Sequence, residues 1–221
     1  MLFNKSHCLI QFTLINSSNK LNTCVLFHFS LQIHPLYIYL HYESEFDGYF
    51  GGIIMIKWLR SSNISSFLLA IIRIYLGVLW LMSGIEKVSS GFTAEKFIAA
   101  AIKNPVVGPT GHSVYGWFTS ILESFVAPNI GIFNFLVAWG EVFIGLGLIF
   151  GAFTTAATFF ALMMNFSYLL AGSISVNPQY IFLEFIVIIA GYNAGKIGLD
   201  RFIIPFIREK VPFLKNSVEG Y

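Results

Sequence analysis

Arg73, Lys87, Glu141 and Glu184 are the residues whose type and place in this chain could do chemistry. Glu141 stands in the middle of an apolar run, Ile130 to Phe150, long enough to cross a bilayer. A carboxyl at that depth costs about 3 kcal/mol on insertion scales, so a chain retains it when something pairs with it or uses it. Arg73 occupies a similar place in an earlier run, Ile64 to Met82. At about 1.5 Å per helical residue, Arg73 lies roughly 13 Å into its run and Glu141 roughly 16 Å into its own. In antiparallel spans crossing about 30 Å of hydrocarbon the two are nearly level. The expectation is an Arg73–Glu141 ion pair near the midplane, because Arg can offer a carboxylate a two-pronged bond. Asn165 lies further out on a third run and Glu184 a turn inside the outer end of a fourth. Two uses compete. One is a structural staple, with Glu184 paired to Lys87. The other is a ligand or proton site between helices, the default for ionisable groups inside a membrane.

These groups need a scaffold, and composition says which. The chain is 56% hydrophobic and 11% charged, against about 25% charged in soluble domains. Its mean hydropathy is +0.73. Four runs are candidate spans: Ile64–Met82, Ile130–Phe150, Ala152–Leu170 and Tyr180–Ala194. The expected fold is all-α, an integral four-helix membrane bundle with an amphipathic helical outer loop. Lys57 and Arg60 precede the first run, and Lys196, Arg201, Arg208, Lys210 and Lys215 follow the fourth. By the positive-inside rule both ends face the cytoplasm and the 86–129 loop faces out. A net charge of +2 is too small to suggest nucleic acid.

The loop carries two helix signals. Thr93 can cap a helix Ala94–Lys103. Ser113 can cap another with Val114, Trp117, Phe118, Ile121, Leu122, Phe125 and Val126 at 3–4 spacing, closed by Pro128. Close helix packing is suggested by Gly147-x-x-x-Gly151, Ala157-x-x-x-Ala161 and Gly191-x-x-x-Gly195. Leu199–Leu214 is basic and amphipathic and reads as a surface anchor on the cytoplasmic side.

Residues 1–54 differ from the rest. They hold Cys8, Cys24, His7, His28, His34 and His41, and they match no secretory-signal pattern. The histidine spacing fits no known ligand pattern. The expectation is an N-terminal extension that is upstream sequence not normally translated. Met55-Ile-Lys-Trp-Leu-Arg would be the natural start, and Gly51-Gly52 would come from a ribosome-binding site read as protein. A chain starting at Met55 contains no cysteine, so thiol chemistry is not its own. With His112 its only histidine, it has no paired-histidine haem ligation and no zinc set.

The residues also carry a resemblance. Arg73-Ile-Tyr-Leu-Gly77 with Ser83-Gly84-Ile-Glu86-Lys87, Val137-Ala-Trp-Gly140-Glu141 with Gly145-x-Gly147, and Asn193-Ala-Gly195-Lys-x-Gly-Leu199-Asp200-Arg201 resemble the DoxX/DoxD family in order. The likeness runs from Met55 to about Phe206, which makes 55–221 a four-span membrane domain. The family implies a multi-pass protein of the plasma membrane, and its best-described members are the quinone-interacting subunit of thiosulfate:quinone oxidoreductase. The resemblance therefore implies a quinone-linked subunit acting on a small sulfur anion, with membrane quinone and a second protein subunit as partners. Glu141 and Glu184 would relay protons as catalytic residues, and Arg73, Lys87 and Asn165 would hold substrate or quinone, with no metal. The alternatives are a non-catalytic scaffold for redox or stress-response partners and a small-solute carrier.

Overall fold

A computed structural model describes residues 51–211. The cysteines, four of the histidines and the proposed boundary sequence up to residue 50 lie outside the described residues. So does the end of the expected Leu199–Leu214 anchor. Residues 51–61 are helical, Met55 among them.

Every regular element among the described residues is helical. α1 (Asn63–Ser90) starts where Ser62 Oγ accepts the Ile64 N–H at 3.2 Å, a side-chain cap. It overruns the expected end near Ser83 by two turns and stops at Gly91, whose positive φ lets its N–H reach back to Lys87 O. α2 (Glu95–Lys103) and α3 (Gly116–Ile121) lie in the loop. α4 (Ile130–Phe150), α5 (Thr154–Leu170), α6 (Asn177–Ala190), α7 (Tyr192–Gly195) and α8 (Asp200–Lys210) follow. Gly191, at φ 58 and ψ −129, breaks the expected fourth run into α6 and α7. Only glycine adopts that backbone readily.

α1, α4, α5 and α6 pack round one core of Leu69, Leu76, Trp80, Ile144, Leu148, Ala161 and Val187. α1 and α4 run antiparallel and nearly touch. A Cβ at Gly145 would stand 2.5 Å from Leu81 N, one at Gly84 would stand 2.6 Å from Val142 N, and one at Gly77 would stand 2.9 Å from Ile149 N. These three glycines carry the closest crossing. Of the expected small-residue pairs, Gly147 faces Ala157, whose Cβ would stand 3.0 Å from a Cβ added at Gly147.

Charge and apolarity are inverted relative to a soluble domain. Arg73 is 2% exposed and Glu141 1%, while Phe143 is 64% and Phe182 67% exposed. Broad apolar surface of this kind faces lipid or a partner. Asn63–Ser90 and Gly116–Phe150 are long and apolar enough to cross a membrane, whereas α5 and α6 are apolar but shorter. The regular elements among the described residues are all helical, with the apolar helices of a membrane protein.

The loop is built rather than slack. Ala94, Ile98 and Ala101 of the α2 region bury against Leu122 and Val126. Asn134 Oδ1 of α4 accepts the Ala94 N–H at 2.8 Å, and Thr93 Oγ1 accepts Glu95 N–H at 3.3 Å. Ser113 does not cap α3, whose N-cap is Tyr115. Pro128 does not close that helix either. The chain widens into a π turn at Leu122–Val126, tightens to a 3-10 turn at Ala127–Asn129 and enters α4. The irregular turns absorb the N–H that proline lacks, and Asn129 Nδ2 satisfies Phe125 O at 2.8 Å.

Candidate functional site

Ser83 and Lys87 lie one turn apart on α1, so their side chains meet, with Lys87 Nζ donating to Ser83 Oγ at 2.7 Å. Gly84 between them lets α4 approach and brings Glu141 to the same place. Lys87 Nζ lies 2.7 Å from Glu141 Oε2, an ion pair whose lysine side chain is 23% exposed. Ser83 Oγ donates to the same oxygen at 2.9 Å, and from α5 the Tyr168 hydroxyl donates to Oε1 at 2.8 Å. Three donors from two helices thus hold one buried carboxylate, with a charge-assisted bond among them. The loop region adds aromatic walls. Lys87 Nζ sits 5.6 Å from the Phe92 ring centre, and Phe97 meets Tyr168 edge-on at 6.1 Å.

About one helical turn further inward lies a second carboxylate. Glu184 accepts from Trp80 Nε1 at 3.0 Å and from Asn165 Nδ2 at 2.9 Å on both oxygens. Its hydrogen-bond partners are neutral, whereas Glu141 has a lysine. Between the helices and the loop opens a cavity of about 1330 Å³. Its walls are largely aromatic and aliphatic, and its polar corner is Ser83, Lys87, Glu141, Asn165 and Tyr168, with Trp80 beside them.

Arg73 is elsewhere. Its Nη2 donates to Ile197 O at 2.7 Å, while Nε and Nη1 have no hydrogen-bond partner among the described residues. Asp200 lies in its electrostatic neighbourhood and accepts the Phe153 and Thr154 N–H groups at 2.6 and 2.8 Å. Gly151 and Gly198 leave no room for a Cβ because the Arg73 guanidinium fills that space. The expected Arg73–Glu141 pair is therefore not formed, and neither is a Glu184–Lys87 pair. The glycine register explains why. With Gly84 against Val142 and Gly77 against Ile149, Glu141 is level with Ile85 and Arg73 with Phe153. That offset is roughly 18 Å along the helix. Measuring depth from the ends of apolar runs failed because α1 continues well past its run.

Residues 68–173 match the DoxX family. The chain carries a DoxX domain. No curated protein and no solved structure matches the chain. The DoxX match contains Arg73, Ser83, Lys87, Glu141, Asn165 and Tyr168, and it stops before Glu184 and Asp200.

Of the expected site residues of the DoxX domain, Lys87 and Glu141 meet directly, and Asn165 meets Glu184. Tyr168 is the partner that sequence reasoning missed. Its signal was the inward stripe Thr154, Thr158, Ala161, Asn165, Tyr168 at alternating spacings of four and three. The cluster can donate hydrogen bonds to an acceptor in the cavity, hold an anion at Lys87 and exchange a proton at Glu141.

Proposed function

We propose that this is a four-span plasma-membrane protein with both termini in the cytoplasm, and that its cavity binds membrane quinone. On this reading it is the membrane subunit of a quinone-linked oxidoreductase that oxidises a small sulfur anion such as thiosulfate. The observation that carries the reading is a largely apolar cavity with the bonded cluster of Lys87, Ser83, Glu141 and Tyr168 in its wall.

The residues fit the group chemically. A quinone head has two carbonyl acceptors on an apolar ring, and the corner offers the third N–H of Lys87, with the Ser83 and Tyr168 hydroxyls donating once they turn from Glu141, among aromatic walls. When bound, the quinone accepts two electrons and two protons. Lys87 holds a carbonyl oxygen or the sulfur anion by charge, and Tyr168 orients Glu141 and can donate in its place. Glu141 passes a proton to the headgroup, and Glu184, held by Asn165 and Trp80, is the reserve carboxylate deeper in the bundle. Asn165 lines the cavity and holds Glu184 behind its wall. Arg73 serves as a structural tie. The chain after Cys24 has no cysteine, so sulfur oxidation uses the bound quinone directly or a second subunit.

Thiosulfate-dependent quinone reduction by membranes containing the protein tests the reading. The expected result is activity that requires Glu141 and Lys87. Equal activity without the protein, or in Glu141→Gln and Lys87→Gln membranes, would overturn it.

A further inference from the structure

At the opposite end of the bundle from Glu141, a second pocket of about 350 Å³ lies between the start of α1 and the α7–α8 segment. Asn63, Ser66, Tyr192, Lys196, Ile197 and Arg201 line it. No acid is among these residues. The acid next to Arg201, Asp200, is buried and turned to the Phe153 and Thr154 amides. Lys196 Nζ spends one donor on Asn63 Oδ1 at 2.8 Å, which fixes the ammonium at the pocket wall and leaves two donors. Ser66 is buried, and its Oγ donates to Asn193 O at 3.1 Å. The pocket is thus a cationic cup with hydroxyl and amide groups at its base.

Its surroundings are apolar and exposed. Above Asn63, on the same face of α1, come Phe67, Ile71 and Ile74, all exposed. Beside the cup, Ile197, Leu199 and Phe202 are also exposed. A polar anion-binding cup that continues into an apolar track suits an amphiphile better than a free ion. Basic pockets between helices at a membrane face bind anionic headgroups in this way.

The geometry points to a binding site for a phosphate group at Lys196 and Arg201, carried by an anionic phospholipid whose chains lie along Phe67, Ile71 and Ile74. The site rests on the bilayer placement of the bundle and is independent of quinone binding in the large cavity.

Native mass spectrometry of the full chain in detergent, titrated with phosphatidylglycerol, phosphatidylcholine or inorganic phosphate, tests it. The expected result is retention of phosphatidylglycerol over phosphatidylcholine. The Lys196→Gln and Arg201→Gln variants each weaken it roughly 5-fold, whereas Arg208→Gln with Lys210→Gln on the outer part of α8 leaves it unchanged. Both Lys196 and Arg201 are exposed, so the variants fold. Equal retention of phosphatidylcholine, or unaltered binding in the Lys196→Gln and Arg201→Gln double variant, would overturn the site. Equal losses from the α8 control would replace it with diffuse surface charge. Saturation by inorganic phosphate without retention of phosphatidylglycerol would overturn the lipid as carrier.

Discussion

The bundle buries a charge near each end, and the two are held in different ways. Arg73 donates to a backbone carbonyl, and its neighbour Asp200 accepts two backbone amides. Glycines at 151 and 198 close around it, and neither Arg73 nor Asp200 lines the large cavity. Glu141 is held by three side chains, and those side chains line the cavity with it. Backbone partners tie segments of chain together, while side-chain partners facing a cavity can turn to a ligand. A buried charge is therefore an incomplete sign of function. What it is bonded to, and whether space reaches it, decides between the two roles.

The largest expected effect is on the Arg73 end. Asp200→Ala strips the Phe153 and Thr154 amides of their acceptor and removes the acid near Arg73, at a cost of about 1–3 kcal/mol for each amide left unsatisfied. The amount of folded protein in detergent should fall sharply, while quinone bound per folded molecule should not. A variant of normal abundance would break the structural reading of that end. At the other end, Glu141→Gln should stay abundant and lose about 100-fold in quinone reduction, the lower range for a positioned acid–base group. Steady-state rates in membranes measure it, and near-normal rates would move the chemistry away from Glu141.

Gly145→Ala probes the crossing that sets both ends in register. Its methyl would collide with the Leu81 backbone, so a cost of about 1–3 kcal/mol is expected, read as a lower unfolding temperature. An unchanged temperature would mean that the helices are not so close. The smallest effect belongs to Tyr168→Phe, which removes one of three donors to Glu141. A net hydrogen bond contributes about 1 kcal/mol, so the rate or affinity should drop about 5-fold with folding intact. A Tyr168→Phe loss as large as that of Glu141→Gln would give the hydroxyl a direct part in the reaction.

Much of the bundle was legible because apolar runs report helices. The Ile130–Phe150 run is α4 to the residue. That Lys87, Glu141 and Asn165 stand out as polar groups in an apolar setting was also legible. Who pairs with whom was not. Pairing follows the register between α1 and α4, which Gly77, Gly84 and Gly145 set by close approach, and composition of the runs does not encode register. Tyr168 was hidden by the abundance of aromatics, 17% of the chain. Asp200 was hidden by its place beyond the last apolar run, where an acid reads as solvent-facing. The π turn before Pro128 was invisible because proline ordinarily ends a helix.

On the proposed reading the Glu141 end is the ligand site and the Arg73 end is the fastening. Quinone extracted from equal amounts of folded wild type, Glu141→Gln with Lys87→Gln, and Asp200→Ala tests it in one assay. The account predicts quinone in the wild type and in whatever Asp200→Ala folds, and at least tenfold less in the Glu141 and Lys87 double variant. Equal quinone in the wild type and that double variant, or selective loss in Asp200→Ala, would contradict it.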